Sequence, residues 1–591
     1  MTVNLATGGE FLLTEAAGSG IFTPEDFSSE QRQIAETTDE FVKKEIIPNL
    51  DRIESQDFGF VVEKMRSCAE LGLFLGDIPE EDGGLELEKT TSMLILEKMA
   101  PTGSFSFTYC GQTGINVLPL VYYGTRDQKA RYLDKLTSAE WIGAYALTEP
   151  DCGSDPLSAR TTATLTEDGR YYVLNGVKQF ITNASFAELF TVFAKIDGKH
   201  FSAFLVERGY AGFSVGPEEK KMGLKGSSTA QICLQDVRVP VENLLGEPGK
   251  GHKIAFNVLN IGRLKVAATS CGMAKGAFAE ATLYARERKQ FGRAIGEFGA
   301  IKEKLADMVA GIFTAESAVY RVAGLLDGRI AALDHAGPDF YDRYQKAIEE
   351  YAVECAIAKV FCSEILDEVV DHGVQIHGGY GYISEYPIER YYRDSRIQRI
   401  FEGTNEINRI LIPTMLFRRD GSGSLALWDR VKEAGDRMAG GVEEVEVNGG
   451  GDFSREFGLI ARLKHLFLLV LGGAGPVKES QEVLVALADM AITIFVLESV
   501  VLRAAKMHAA TSERKMALLE AVVKVAAFES ASHFHLAASR CCAYSLRGDA
   551  MSSRQKDVSS LSAYPAEGLL GAKQLLAEAA QESGKYPFNG L

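Results

Sequence analysis

Basic residues are in short supply: 63 Lys and Arg against 80 Asp and Glu leave a net charge of −17 over 591 residues. A field of that sign repels nucleic acid and anionic lipid at long range, so no nucleic-acid partner is expected. Cysteine is sparse and unpatterned. The nine thiols follow no metal-ligand spacing and only Cys541 and Cys542 are neighbours, which reads as buried thiols in a reducing compartment and argues against a zinc site. Residues 1–15 contain neither Lys nor Arg nor a long apolar core, so neither a secretory signal nor an Arg-rich transit peptide is read there. The expected location is the bacterial cytoplasm, or the mitochondrial matrix side if a transit peptide was trimmed. The most apolar run, 463–477, is interrupted by Lys464, His465 and three glycines before Pro476, too short and broken to cross a bilayer. No βαβ alternation is visible, hence no dinucleotide-binding parallel sheet, and the lone Gly378-Gly379-Tyr380-Gly381 does not stand in for one.

What is present is ordinary globular usage, 46% apolar and 24% charged, in a chain too long for one core, so two to four structural units are expected. Residues 1–145 show helical apolar spacing, as at Ile34, Phe41, Val42 and Ile46, with breaks at 80–84 and 101–103, and read as a helical N-terminal domain. Residues 146–251 switch to β-branched and aromatic runs at 171–174, 190–193, 201–206 and 232–234, punctuated by turns at Asn175-Gly176 and Asp197-Gly198; an antiparallel β domain is expected. Over 252–420 long helical patterns return, notably 266–288 and 344–372, and predict a helical bundle. Residues 421–454 are glycine-rich with seven acids against three bases, a linker with one short helix over 425–438. Residues 455–591 form an additional helical domain. The fold class is α+β, mainly α.

The chemistry concentrates in Phe401-Glu402-Gly403-Thr404-Asn405-Glu406-Ile407-Asn408-Arg409. Here a carboxylate follows the apolar approach Ile400-Phe401, where partial desolvation raises its pKa toward neutrality and suits it to abstract a weakly acidic C–H proton; Gly403 lets a ligand come close to the backbone. On its own such a segment is more often a solvated helix start. It does not stand on its own. Upstream are 145–155 with Thr148-Glu149-Pro150 and Gly153-Ser154-Asp155, then Lys178-Gln179-Phe180-Ile181-Thr182-Asn183, Arg288-Lys289-Gln290-Phe291-Gly292, and Gln375-Ile376-His377-Gly378-Gly379. In that order and at those separations the segments resemble the acyl-CoA dehydrogenase family. The resemblance is closest to its very-long-chain branch, because it runs from about Gly8 to the C-terminus and includes a second helical region beyond Arg419.

The resemblance implies the corresponding fold of helical, β and helical domains and a role for each motif. Glu402 matches the family's base, and its backbone N–H, with a ribityl hydroxyl of FAD, would polarise the thioester; Phe401 and Gly403 flank the substrate. Leu147, Thr148 and Thr182 stand where the family meets the flavin ring, although a threonine in a strand more commonly just packs. Phe180 replaces the usual Trp, keeping an aromatic face and losing the indole N–H. Gly153 and Ser154 would meet cofactor phosphate, and Ser154 with Asp155 the pantetheine arm, where a plain loop is the alternative. Arg288 and Phe291, with Gln375, Gly378 and Gly379, look like two halves of a clamp on the FAD of a neighbouring subunit; an Arg at a helix end is otherwise a dipole-compensating surface charge. Thr404 and Glu406 would meet the AMP portion, and His377 is read as structural. Asn260 and Arg263 would line the acyl-CoA site opposite Glu402. Gly262 occupies the position that holds the catalytic Glu in the isovaleryl and long-chain subfamilies, so the base is Glu402, and the missing side chain leaves room for a bulky acyl group.

By the same resemblance the chain is an FAD enzyme acting on long, straight-chain acyl-CoA, a homodimer passing electrons to electron-transfer flavoprotein. Acyl-CoA oxidase, an assembly protein on the same scaffold, and the DNA-associated branch are the competing readings, the last disfavoured by the acidic balance. Weak peripheral membrane contact, implied by the very-long-chain branch, is opposed by the linker's net −4, since binding to anionic lipid wants Lys and Arg.

Overall fold

The computed structural model describes residues 6–15, 20–334, 337, 340–439, 452–475, 480–508 and 512–589. Two of the N-terminal helices begin where side chains close the first turn. Ser28 and Gln31 exchange hydrogen bonds at the start of Ser29–Phe41, and Thr125 and Gln128 do so at Arg126–Thr137, each pair satisfying amides that the helix cannot. Between them lie the helices Phe58–Glu70, Lys89–Met99 and Ser104–Gly111, so the first part of the chain is helical as expected. The short linker helix is present as Leu427–Ala439; the rest of that stretch, 440–451, lies outside the described residues.

The middle of the chain forms eight strands: β1 Gly143–Ala146, β2 Thr162–Leu165, β3 Tyr171–Thr182, β4 Leu189–Ile196, β5 His200–Glu207, β6 Phe213–Glu218, β7 Thr229–Pro240 and β8 Leu244–Leu245. Their order is β6-β7-β3-β2-β4-β5-β8, with β1 beside β4. Two pairs, β1 with β4 and β2 with β4, are parallel, so the sheet is mixed rather than wholly antiparallel. The cause is topological: β4 settles beside β2 instead of β3, and a chain that skips one strand returns in the same direction. Asp197-Gly198 makes the expected turn between β4 and β5. Asn175-Gly176 does not. It lies inside β3 as a bulge, the register against β7 slipping between Leu174 and Gly176. Asn175 is held there by paired hydrogen bonds with Asp236, and Gly176 at φ 155° packs so closely on Thr161 that a Cβ would sit 2.4 Å from its Oγ1.

Helices Gly251–Glu287, Gly299–Ala331 and Ala352–His377 form the bundle, joined by Asn405–Gly421. The single helix expected over 344–372 is two, Phe340–Glu350 and Ala352–His377, broken at Tyr351. Beyond the linker, Ser454–Gly473, Gln481–His508, Glu513–Ser545, Gly548–Leu561 and Leu569–Ser583 make the further helical region. Among the described residues Gln481–His508 and Gly299–Ala331, rather than 463–477, are long and apolar enough to span a membrane, but their most apolar windows are 89% and 83% buried within the protein. They are core. One continuous apolar core runs through the N-terminal helices, the bundle and the last helices. The sheet keeps a smaller core of its own around Phe190, Phe204 and Ile232.

Candidate active site

Glu402 stands on a loop between the short turn Arg396–Arg399 and helix Asn405–Gly421. Both Glu402 (φ 56°) and Gly403 (φ 82°) are left-handed, a conformation costly for a glutamate and maintained only where neighbours impose it. Three neighbours do. The Thr404 hydroxyl caps the helix by accepting from the Ile407 amide at 3.2 Å; Asn408 donates to the carbonyls of Gly403 at 2.8 Å and Thr404 at 3.1 Å, and reaches that of Glu402 at 3.4 Å; and Lys359 donates to the Gly403 carbonyl at 2.8 Å. The loop thereby directs the carboxylate at the middle of helix Gly251–Glu287. A Cβ built on Gly262 would lie 2.5 Å from Glu402 Oε2, so the absent side chain is what lets Glu402 occupy this position.

Glu402 Oε2 is buried and has no hydrogen-bond partner. Burial raises the pKa to about 7, against the opposing pull of Arg263 and Lys359, which places a base near neutrality. Arg263 is itself buried and donates to Asn260 Oδ1 at 2.7 Å. The Asn260 side chain is thus engaged with Arg263. On the other side the Phe401 ring packs at 5.3 Å on Phe107 of helix Ser104–Gly111.

That same helix reaches the sheet: a Cβ on Gly111 would lie 4.0 Å from Thr182 and 3.8 Å from Asn183, which links Thr182 at the end of β3 to the Phe401 neighbourhood. Thr148 meets β3 three residues earlier, its carbonyl accepting from the Gln179 amide at 2.9 Å. Beneath lies a buried ion pair, Lys178 to Glu149 at 2.7 Å, with Lys178 also donating to the Leu147 carbonyl at 3.2 Å; Glu149 further accepts from the amides of Arg160 and Thr161. These bonds tie 147–149 to β3. Phe180, between the two, is left-handed (φ 58°) and 62% exposed, an aromatic face held outward by strain, at a point where β3 slips register against β7. Gly153, Ser154 and Asp155 are exposed on the loop after the Glu149–Cys152 turn, with open space beside Gly153.

A recess of about 500 Å³ lies at the far end of helix Gly251–Glu287 and is lined by Tyr284, Arg288, Gln290, Gly378, Gly379 and Tyr380 among others. The structure therefore brings together Arg288 and Gly378-Gly379; Gln375 is exposed just outside the lining. Lys289–Gln290 and Arg293–Ala294 pair as a small ribbon with Phe291 and Gly292 at its tip, both left-handed, as a tight hairpin turn demands. Phe291 is 94% exposed. His377 is buried, stacks on Tyr284 at 4.2 Å and hydrogen-bonds the Gly373 carbonyl, and burial holds its pKa below the usual value; this is a packing histidine. Glu406 is exposed one turn beyond the base.

Sequence reasoning assigned no role to Lys359, Asn408 or Phe107. Lys359 left a signal, a lone charge within the apolar run 355–362, where an unpaired lysine is not tolerated.

Comparison with known proteins gives a consistent result. Residues 28–140, 144–237 and 249–416 match models described as acyl-CoA dehydrogenase N-terminal, middle and C-terminal domains, and 462–554 match a further model with the description acyl-CoA dehydrogenase, C-terminal domain. The chain is 45% identical over 517 residues to a probable acyl-CoA dehydrogenase of Bacillus subtilis (strain 168), covering 86% of each protein. It is 41% identical over 353 residues to the mitochondrial very long-chain specific acyl-CoA dehydrogenase of Homo sapiens, covering 58% of this chain and 51% of that one. Among solved structures, an acyl-CoA dehydrogenase complexed with FAD from Bacillus anthracis superimposes with a TM-score of 0.95 at 43% identity, over 98% of this chain and all of the other.

Proposed function

Because this chain belongs to the acyl-CoA dehydrogenase family, an oxidoreductase family, we propose that it oxidises long-chain acyl-CoA to the trans-2-enoyl-CoA, with Glu402 as the base that takes the α-proton. The observation that carries this is the Glu402 carboxylate itself: near-neutral in pKa, with Oε2 buried, free of any partner and facing Gly262. The Glu402 N–H would polarise the thioester carbonyl, and Arg263 and Lys359 moderate the cost of the carboxylate's charge. Leu147, Thr148, Phe180 and Thr182 would hold the isoalloxazine of FAD, which when bound supplies the hydride acceptor for the β-carbon. The fit is supported by the outward aromatic face of Phe180, the open space at Gly153, Gly292, Gly378 and Gly379, and the Arg288 recess.

Gly262 and Arg288 are separated along one helix by roughly 39 Å at 1.5 Å per residue. A homodimer in which Arg288, Phe291, Gly378 and Gly379 reach the cofactor of a second copy would use both sites and would cover the exposed Phe291. Electron-transfer flavoprotein is the proposed acceptor of the electrons. A long-chain preference is supported by the likeness to the human very long-chain enzyme and by the room at Gly262.

Anaerobic mixing of the FAD-loaded protein with a ladder of acyl-CoA chain lengths tests the reading through flavin bleaching. Glu402→Gln removes the charge and keeps the volume, so it should stay yellow, bind acyl-CoA and bleach almost not at all. Bleaching near the wild-type rate would place the base elsewhere.

A further inference from the structure

We propose that Lys359 is a positioning residue for proton abstraction, its buried amine holding the 402–405 backbone in the left-handed turn that aims Glu402 at Gly262. The inference rests on Glu402 being the base. Lys359 lies on helix Ala352–His377 and its side chain is inaccessible to solvent. Its Nζ donates to the Gly403 carbonyl at 2.8 Å and to Asn405 Oδ1 at 2.7 Å. Asn405 is braced in turn, donating to Ser363 Oγ at 3.1 Å and Glu364 Oε1 at 2.9 Å, while Arg409 grips both Glu364 oxygens. The loop is thus pinned from one side by helix Ala352–His377 and from the other by Asn408. Two consecutive left-handed residues do not persist without such anchors, and the peptide that Lys359 grips follows directly on the one that joins Glu402 to Gly403.

The charged groups facing Lys359 are Glu402, Arg263, Glu364 and Glu406. Burial lowers its pKa to about 7, so near neutrality it is partly an uncharged amine. A neutral amine keeps two N–H bonds, enough for its two acceptors. Its grip on the loop therefore survives deprotonation, whereas its electrostatic help to the Glu402 carboxylate does not. Positioning and charge can consequently be separated by substitution.

The test uses the FAD-loaded full chain, with the acyl-CoA that wild type reduces fastest, and follows the limiting rate of flavin reduction against pH. Lys359→Met removes both functions. It should retain FAD, with KM little changed, lose roughly a hundredfold in limiting rate, as about 1 Å of misplacement does, and show the acid limb of its profile moved up by about one unit, since loss of a facing cation raises the carboxylate's pKa. Lys359→Gln, still a donor but uncharged, should recover part of the rate and leave the acid limb displaced. Wild-type rate and profile in Lys359→Met would overturn the proposal. So would a rate loss in both variants that merely tracks loss of FAD and of thermal stability, which is the signature of a structural lysine. Should the Met variant not fold, Lys359→Gln decides by rate: a limiting rate below wild type at full FAD occupancy and unchanged KM supports the positioning role, and a wild-type limiting rate overturns it. An absence of flavin reduction in wild type with every acyl-CoA would instead refute Glu402 chemistry, a result the Lys359 variants cannot imitate.

Discussion

At the scale of single residues the site turns on a pair, a glutamate in a strained conformation and a glycine that makes room for it. The carboxylate and the missing side chain face each other from two elements 140 positions apart (402 − 262), and the 2.5 Å between Glu402 Oε2 and a Cβ on Gly262 means the two positions share one space. A carboxylate placed on residue 262 can then reach the same α-proton once Glu402 is removed. In a Glu402→Gly background, Gly262→Glu should restore part of the flavin-reduction activity, limited by the roughly hundredfold penalty of a base about 1 Å out of place. The double variant should also prefer shorter acyl groups, because the new side chain fills the room that Gly262 left. If it is no faster than Glu402→Gly while still holding FAD and substrate, the facing arrangement does not operate in the reaction.

At the scale of elements, the 37-residue helix Gly251–Glu287 sets the geometry. Its middle carries Asn260, Gly262 and Arg263 against the base; its end delivers Arg288 to the recess with Gly378 and Gly379 and leads into the ribbon that presents Phe291. Arg288 lies over the Tyr380 ring at 5.4 Å and has no carboxylate partner among the described salt bridges, which leaves its guanidinium available to a phosphate. Arg288→Ala should uncouple FAD: with a diphosphate charge left uncompensated, the loss is on the order of 2–5 kcal/mol. Flavin content after gel filtration and the apparent oligomer size check this together. Full FAD retention in a monomeric variant would refute the shared site.

At the scale of the molecule, the helical region beyond the linker is fastened to the bundle by buried charge as well as by apolar packing. Arg503 of Gln481–His508 donates to Glu316 at 2.6 Å and to Glu25 at 2.8 Å, and Tyr586 adds a hydrogen bond to Glu316 at 3.1 Å; Lys275, bonded to Glu97 at 2.6 Å, also pairs with Glu316. The surrounding cations hold the Glu316 carboxyl down to about 2 despite burial. Nearby, Glu498 joins Arg321 to Lys464. Breaking such a network from one side strands a buried charge, so Arg503→Met should lower unfolding stability by about 3–5 kcal/mol, read as a fall in the apparent melting temperature with the active-site loop intact. An unchanged melting temperature would mean that apolar packing alone holds this region in place.

The periodicities and motifs of the chain were enough to determine the order of helical, β and helical regions, the extra helices after 455 and the candidacy of Glu402, because each is a local pattern: apolar spacing, turn residues, a carboxylate beside apolar residues and a glycine. Local patterns fail where a distant partner decides. Asn175-Gly176 has the composition of a hairpin turn, yet it runs on through β3 as a bulge because Asp236 of β7 and Thr161, just before β2, meet it from elsewhere in the chain. The parallel pairing of β4 follows from which strand it settles against, and Gln481–His508 is read as core only once its burial is seen. Lys359, 43 positions before the base (402 − 359), becomes part of the site only because two helices cross. The residue types capable of the chemistry are inscribed in the sequence. The tertiary structure alone placed Gly262 under Glu402 and an amine under its loop, since proximity between remote positions is set by packing and not by spacing along the chain.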